Sequence, residues 1–395
     1  METTPVCSGL RCTDCATRHD LETTHRCPDC GGALEVTYDE SMRDLGRAEL
    51  SARAFDGLGR YADLLPFPRE SLVTMGEGTT PLVSAPGLTE RLGVARVLLK
   101  DEGANPTGSI ADRGAALAVT AAMGHDAETV ALPSTGDTAR AASAYAARAG
   151  LDSEAFVPSR ATFDAKAMIN VHGGEMSVVG GRFDDAVAAF DEAMADHSWY
   201  SLAAFDTPYR QDGLKTVAYE IAEQLAWNGP DHVVYPTASG VGLVGLAGGI
   251  RELRDLGWID AEPTVHAVQP DGCAPIAEAF EDGRAEHEPI DNPDTICGGL
   301  EVADPPESRL VLDAVRESGG SVVSTPDTSI LEAATDIAGS AGVEVGTAGG
   351  AAAAGALELA ERGVFDDDET VAIVNPAAGN NESDVLRSHL MRKGI

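Results

Sequence analysis

Apolar residues in this chain cluster in short unbroken runs, among them Val97-Leu98-Leu99, Thr129-Val130-Ala131-Leu132, Val233-Val234-Tyr235 and Val371-Ala372-Ile373-Val374. Runs of this length without polar alternation predict strands buried on both faces. Alanine-rich segments of helical length lie between them, at 112–124, 138–149, 184–195, 215–227 and 351–362. Glycine-rich turns repeatedly join a run to the helical segment that follows. Strands alternating with helices predict an α/β fold with parallel, doubly wound sheets. At 395 residues the chain can form two domains of ordinary size and one small module.

The first 35 residues break this pattern. Cys12-x-x-Cys15 and Cys27-Pro28-Asp29-Cys30 are two paired-cysteine turns separated by eleven residues. Cys12, Cys15, Cys27 and Cys30 at that spacing can close a tetrahedral site, which predicts a zinc ribbon. Four thiolates leave no open coordination position, so the zinc is expected to be structural. Cys7 is read as an unused neighbour.

Composition narrows the picture further. The chain is 43% hydrophobic, ample for packed cores, yet carries 64 acidic against 28 basic residues, a net charge of −36. That charge repels phosphate backbones and argues against a nucleic-acid partner. It also destabilises a compact state through self-repulsion in dilute buffer. At ~1 M salt the Debye length is only ~3 Å, and the repulsion is largely screened. The expectation is a halophilic protein in a salt-rich cytoplasm. No run approaches the ~18–20 apolar residues of a membrane span, and the start, METTPVCSGLRC, lacks a secretory pattern.

Chemistry is expected in three strand-to-helix loops, because ligands favour the carboxyl ends of parallel strands. The first loop runs from Lys100 through Asn105-Pro106-Thr107-Gly108-Ser109-Ile110-Ala111-Asp112-Arg113-Gly114. The second is Ser134-Thr135-Gly136-Asp137-Thr138, and the third is Pro236-Thr237-Ala238-Ser239-Gly240-Val241-Gly242. Amide-rich turns at helix N-termini can hold anions. Asp137, at a helix start, can also cap free amides.

Taken together and in this order, the loops resemble those of the fold-type II pyridoxal-phosphate enzymes, threonine synthase most closely. The segment Gly76-Glu77-Gly78-Thr79-Thr80-Pro81-Leu82 strengthens the resemblance, as does the cysteine ribbon. The resemblance implies two α/β domains, a homodimer, and conversion of O-phosphohomoserine to threonine and phosphate. It also implies boundaries: a ribbon at 1–35, a large domain from 36–114 and 201–395, and a small domain at 115–200.

Against that family the chain departs at several contacts. The family's first loop carries a lysine that forms an imine with the coenzyme and then moves protons. Ala111 stands there, and a methyl group can do neither. Only Lys100, Lys166, Lys215 and Lys393 are present. The first three match positions that the family fills in addition to its catalytic lysine, and Lys393 lies in the tail. The family asparagine that meets the coenzyme ring is Asp137 here, with Arg140 one turn on to offset its charge. Ala238, Ser239 and Val241 interrupt the glycine cup for the phosphate, leaving Gly240 and Gly242. Pro376 occupies the place of a residue that pairs with the pyridine nitrogen.

These losses predict no catalytic residue and, at best, a non-covalent place for pyridoxal phosphate. Ser134, Thr135, Gly136, Asp137, Thr138, Thr237, Ser239, Gly240 and Gly242 are expected to form a vestigial ligand or anion pocket. The expected role is binding or regulation, as a homodimer or a heteromer with an active paralogue. Two alternatives stand beside it: a surviving threonine synthase or related lyase activity, and a sensor of a small anionic or amino-acid metabolite.

Overall fold

The computed structural model describes residues 1–39 and 45–392. The N-terminal sheet comprises β1 (Cys7–Cys12), β2 (Arg18–His19) and β3 (Leu34–Tyr38), with β1 central and both neighbours antiparallel to it. Next come β4 (Leu82–Ser84) and β5 (Arg96–Asp101), then β6 (Thr129–Pro133), β7 (Asp152–Pro158), β8 (Glu175–Val179) and β9 (Tyr200–Ser201). The remaining strands are β10 (His232–Pro236), β11 (Thr264–Pro270), β12 (Val322–Thr325) and β13 (Thr370–Asn375).

Two further sheets result. One has six strands in the order β12-β11-β10-β13-β5-β4, the other four in the order β8-β7-β6-β9. All pairs in the four-stranded sheet are parallel. The six-stranded sheet is parallel except at β4, which runs antiparallel to β5. The expectation of parallel sheets is corrected at that edge, where β4 and β5 pair antiparallel across the short helix Pro86–Leu92.

β10 is buried along its whole length, and β11 and β13 along all but their first residue. Each buried Val or Leu side chain contributes roughly 1.5–3 kcal/mol. The predicted helices appear at Ala111–Gly124, Asp137–Ala149, Phe183–Asp196 and Thr347–Glu361. The helix expected over 215–227 appears as Thr216–Gln224, with a further short helix, Tyr209–Leu214, just before it and Lys215 between the two. Among the described residues no helix is long and apolar enough to cross a membrane.

Glycines set how closely the helices beneath the loops approach. A Cβ at Gly213 would collide with the carbonyl of Arg113 on the 111–124 helix. Cβ atoms at Gly245 and Gly249, one turn apart on the Val241–Asp255 helix, would collide with the carbonyls of Gln211 and Lys215. The helices therefore meet backbone to backbone, and the starts of the 111–124 and 241–255 helices are held in fixed relation.

Candidate functional site

Much of the motif sequence that looks catalytic builds scaffold. Arg113 is fully buried and donates to Glu102 at 2.6 Å and to Glu220 at 2.8 Å. Lys100, equally buried, donates to Glu220 at 2.8 Å and to the Thr80 carbonyl at 2.9 Å. Two cations thus face two carboxylates, and Thr80 and Asn105 supply further donors to Glu102 at 2.6 and 2.8 Å. Burial opposes ionisation of Glu220, but Arg113 and Lys100 outweigh it and hold its carboxyl far below the usual range. Asn105 also accepts from the Gly78 amide at 2.9 Å. The 76–82 motif and the Asn-Pro-Thr segment therefore serve this charge cluster.

Beyond the cluster the first loop is pinned in place. Ile110 donates its amide to the Pro376 carbonyl at 2.8 Å, and Ala378 donates to the Gly108 carbonyl at 2.9 Å. Asp112 accepts from the Thr107 amide at 2.7 Å and hydroxyl at 2.5 Å. Burial nevertheless pushes the Asp112 carboxyl up to about 7. Ala111, the first helical residue, is part-buried on the wall of a cavity of about 260 Å³.

All three loops reach this cavity. Its lining includes Thr135, Gly136, Asp137 and Thr138 from the turn after β6, and Thr237, Ser239, Gly240 and Gly242 from the turn after β10. Ser134 is not in the lining. Its hydroxyl accepts from the amides of Gly136 at 3.0 Å and Ala139 at 3.1 Å, capping the 137–149 helix from outside. The expected capping by Asp137 is thus corrected, since Ser134 already serves those amides and Asp137 makes no cap bond.

Arg140 donates to Asn381 at 2.7 Å, and its charge still acts on Asp137, the partial offset expected. Burial and the charge of Glu382 push the Asp137 carboxyl up to about 6, with the charge of Arg140 and a hydrogen bond from Asn381 acting the other way.

Gly240 and Gly242 are retained for reasons internal to the protein. Gly240 has φ +91°, and a Cβ there would collide with Val311, while one at Gly242 would collide with the Tyr235 hydroxyl. Their presence therefore follows from packing and is no sign of a phosphate. The first-turn amides of the 241–255 helix still lack partners within the helix.

Several lining residues had no marked signal in the sequence. Glu382 accepts from the Thr347 amide at 2.6 Å and hydroxyl at 2.8 Å, closing the start of the 347–361 helix. Burial raises its carboxyl above the ordinary range. Glu301 also lines the cavity and accepts from Arg160 at 3.1 Å and Arg182 at 2.7 Å. Arg160 follows β7 in a fourth strand-to-helix turn, a position the loop rule could have found. Arg210 completes the charged lining and donates to the Leu202 carbonyl at 2.7 Å.

No lysine lines this cavity among the described residues. Lys100 is spent in the charge cluster. Lys166 donates to the Ser159 carbonyl at 2.9 Å. Lys215 lies 3.1 Å from both Asp212 and Glu252 and 3.9 Å from the centre of the Tyr38 ring. Lys393 lies outside the described residues. Pro376 lines the wall without a side-chain donor. Asn375, beside it, donates to Asp101 at 2.8 Å.

In the ribbon, the ligand atoms of Cys12, Cys15, Cys27 and Cys30 all lie within 4.8 Å of one another. Cys12–Cys30 and Cys15–Cys27 sulfurs are 3.4 and 3.7 Å apart. A tetrahedron with ~2.3 Å zinc–sulfur bonds has edges of about 3.8 Å, so the donor set fits that ion. Cys7 lies outside the cluster, in β1.

Two sheets meeting over such a cavity define a class. The model of the pyridoxal-phosphate dependent enzyme family matches residues 73–377, and the chain belongs to that family. Threonine synthases are among its relatives. It is 35% identical over 367 residues to that of Methanosarcina acetivorans, covering 92% of this chain and 90% of the relative. To that of Methanocaldococcus jannaschii it is 33% identical over 377 residues, covering 95% and 93%. The fold is shared with maize serine racemase at a TM-score of 0.67 and 19% identity, over 80% of this chain and 94% of that one.

The family's coenzyme meets a mixed reception in these residues. The turn at 237–242 keeps amides for a phosphate, but among the described residues no amine lines the wall for an imine, and Asp137 and Glu382 bring anionic groups. The cavity does not fit a covalently held pyridoxal phosphate.

Proposed function

We propose that this chain is a non-catalytic threonine synthase-like protein with a binding or regulatory role. The observation that carries the reading is Ala111 on the cavity wall with all three described lysines committed elsewhere. The altered surroundings of position 111 support it: Asp137 bringing an anionic group, Pro376 without a donor, and Glu382 closing a helix start. Loss of selection for catalysis explains changes at separate contacts better than one isolated substitution does.

In this reading pyridoxal phosphate has at most a non-covalent place, and zinc in the ribbon is structural. The protein works in the cytoplasm as a homodimer or beside an active relative, with a ribbon, a large and a small domain. The test is incubation with pyridoxal phosphate in high salt, borohydride reduction and peptide mass spectrometry. No site-specific ring adduct is expected, and O-phosphohomoserine should release no phosphate above the background rate. An adduct on one defined lysine, or coenzyme-dependent phosphate release, would overturn the reading.

A further inference from the structure

We propose that His19 is a positioning residue of the ribbon's metal site, donating a hydrogen bond from its ring Nε2 to the Cys27 thiolate. The inference rests on the reading of the ribbon as a structural zinc site and adds a residue on which that site depends.

Strand register brings the ring there. β2 pairs antiparallel with β1, with His19 opposite Leu10. Residues opposite one another across a pair, and those two apart along a strand, share a face. His19 therefore stands on the face of Leu10 and Cys12, which pack with Cys27 and Leu34 as the small core of the ribbon. Its Nε2 lies 3.2 Å from the Cys27 sulfur. The Asp29 carboxylate is farther from the same nitrogen, at 3.9 Å. The His19 side chain is only 11% exposed and Cys27 is buried, so little water reaches the contact. A metal-bound thiolate has no proton to give, which fixes Nε2–H as the donor and sulfur as the acceptor.

Charge makes the contact matter. Four thiolates around a dication leave a net charge of about −2, in a chain already at −36. Asp14 and Asp29 lie inside the two cysteine turns. Arg11 and Arg26 are taken by Glu35, Asp206 and Glu307. Backbone donors reach the sulfurs, with the Asp14 amide 3.4 Å from Cys12 and the amides of Asp29 and Cys30 bonded to Cys27. His19 adds a ring N–H, aimed at a buried sulfur. An outer donor of this kind orients a ligand and tunes its charge. The order of the ribbon also bears on the cavity, because Ala33 packs in one cluster with Leu214 and Val241 of the cavity wall.

The experiment uses the full chain in high salt. Zinc affinity is read by competition with a chromophoric chelator, and cobalt(II) loading gives a thiolate-to-metal charge-transfer band. His19→Leu keeps bulk without a donor, while His19→Gln places an amide N–H at the reach of Nε2. His19→Leu should weaken zinc affinity about tenfold or more. It should also move the cobalt band to longer wavelength, because a thiolate without its donor gives up charge more readily. His19→Gln should return both readouts toward the parent, and Asp29→Asn should leave both unchanged. Parent behaviour in His19→Leu, equal losses in His19→Leu and His19→Gln, or the same band shift in Asp29→Asn would overturn the proposal. So would a cobalt band that keeps its full intensity in Cys27→Ser, since His19 would then be a ligand itself. A parent protein that binds no stoichiometric metal would overturn the zinc reading as well, so the two failures are distinguishable.

Discussion

Glu382 accepts hydrogen bonds from both the amide and the hydroxyl of Thr347, 2.6 and 2.8 Å away, and so places a carboxylate where the 347–361 helix would otherwise attract an external anion. The arrangement is favourable to the helix, since an anion at an N-terminus suits its dipole. Thr347→Val keeps the shape and the amide bond but removes the hydroxyl donor. It should cost about 1 kcal/mol, measured as a shift in denaturant midpoint at constant m-value.

Asp137 supplies a pH test. Its folded carboxyl is pushed up to about 6 by burial and by Glu382, against ~3.9 in an unfolded chain. A raised carboxyl favours the folded state below the unfolded value and loses that contribution as pH rises through the folded one. Asp137→Asn mimics the protonated form at all pH. The variant should therefore gain stability relative to the parent between about pH 4 and pH 6–7, a difference read from paired unfolding curves across that window. A gain that appears only on acidification would contradict the assignment.

The buried cluster should behave unlike surface pairs. Arg113→Met leaves Glu102 and Glu220 without their main partner and should cost about 3–5 kcal/mol. Arg91 and Asp336 are 2.7 Å apart but 46% and 55% exposed, so Arg91→Ala should change stability by less than about 1 kcal/mol. Chemical unfolding of both variants in the same high-salt buffer makes the comparison.

Thiol modification should release about one zinc ion per chain if the four sulfurs hold a single tetrahedral ion. The ribbon is joined to the rest of the chain by Arg26, 3.0 Å from Asp206 and 2.6 Å from Glu307, and by an Asp14–Arg309 ion pair. Metal removal is expected to raise hydrogen exchange in β1 and β3 first, before the six-stranded sheet. A metal-free protein with unchanged protection in those strands would count against a structural ion.

Net charge sets the last prediction. With −36 to screen, the melting temperature should rise steadily as potassium chloride increases from ~0.1 M, where the Debye length is ~10 Å, to above ~1 M, where it is ~3 Å. A flat profile would separate the acidic composition from salt adaptation.

How far the sequence revealed this structure depended on burial. β5, β6, β10 and β13 were legible because both faces are covered, leaving runs of apolar residues. β11 was not, because His266 and Gln269 interrupt its run while finding partners that only the fold provides. The Gln269 side-chain oxygen, Oε1, accepts from the amides of Ile276 and Ala277, and His266 meets His232 at 3.0 Å. β8 was hidden for another reason: as an edge strand it alternates poorly between exposed and part-buried positions. Loop residues of the cavity could be placed because each follows a strand. Glu382, seven residues past β13, and Arg210, at the start of the 209–214 helix, carried no motif to mark them. The short helix Tyr209–Leu214 was likewise missed, lying just ahead of the segment read as helical.

Gly213, Gly245 and Gly249 carry a consequence for how such a chain can change over generations. Where main chains touch, no larger residue is admissible, so those columns stay fixed whatever the protein does for its host. Residue 111, at the rim, answers to no such steric veto. Architecture and chemistry can therefore part company here, one preserved by contact and the other free to lapse.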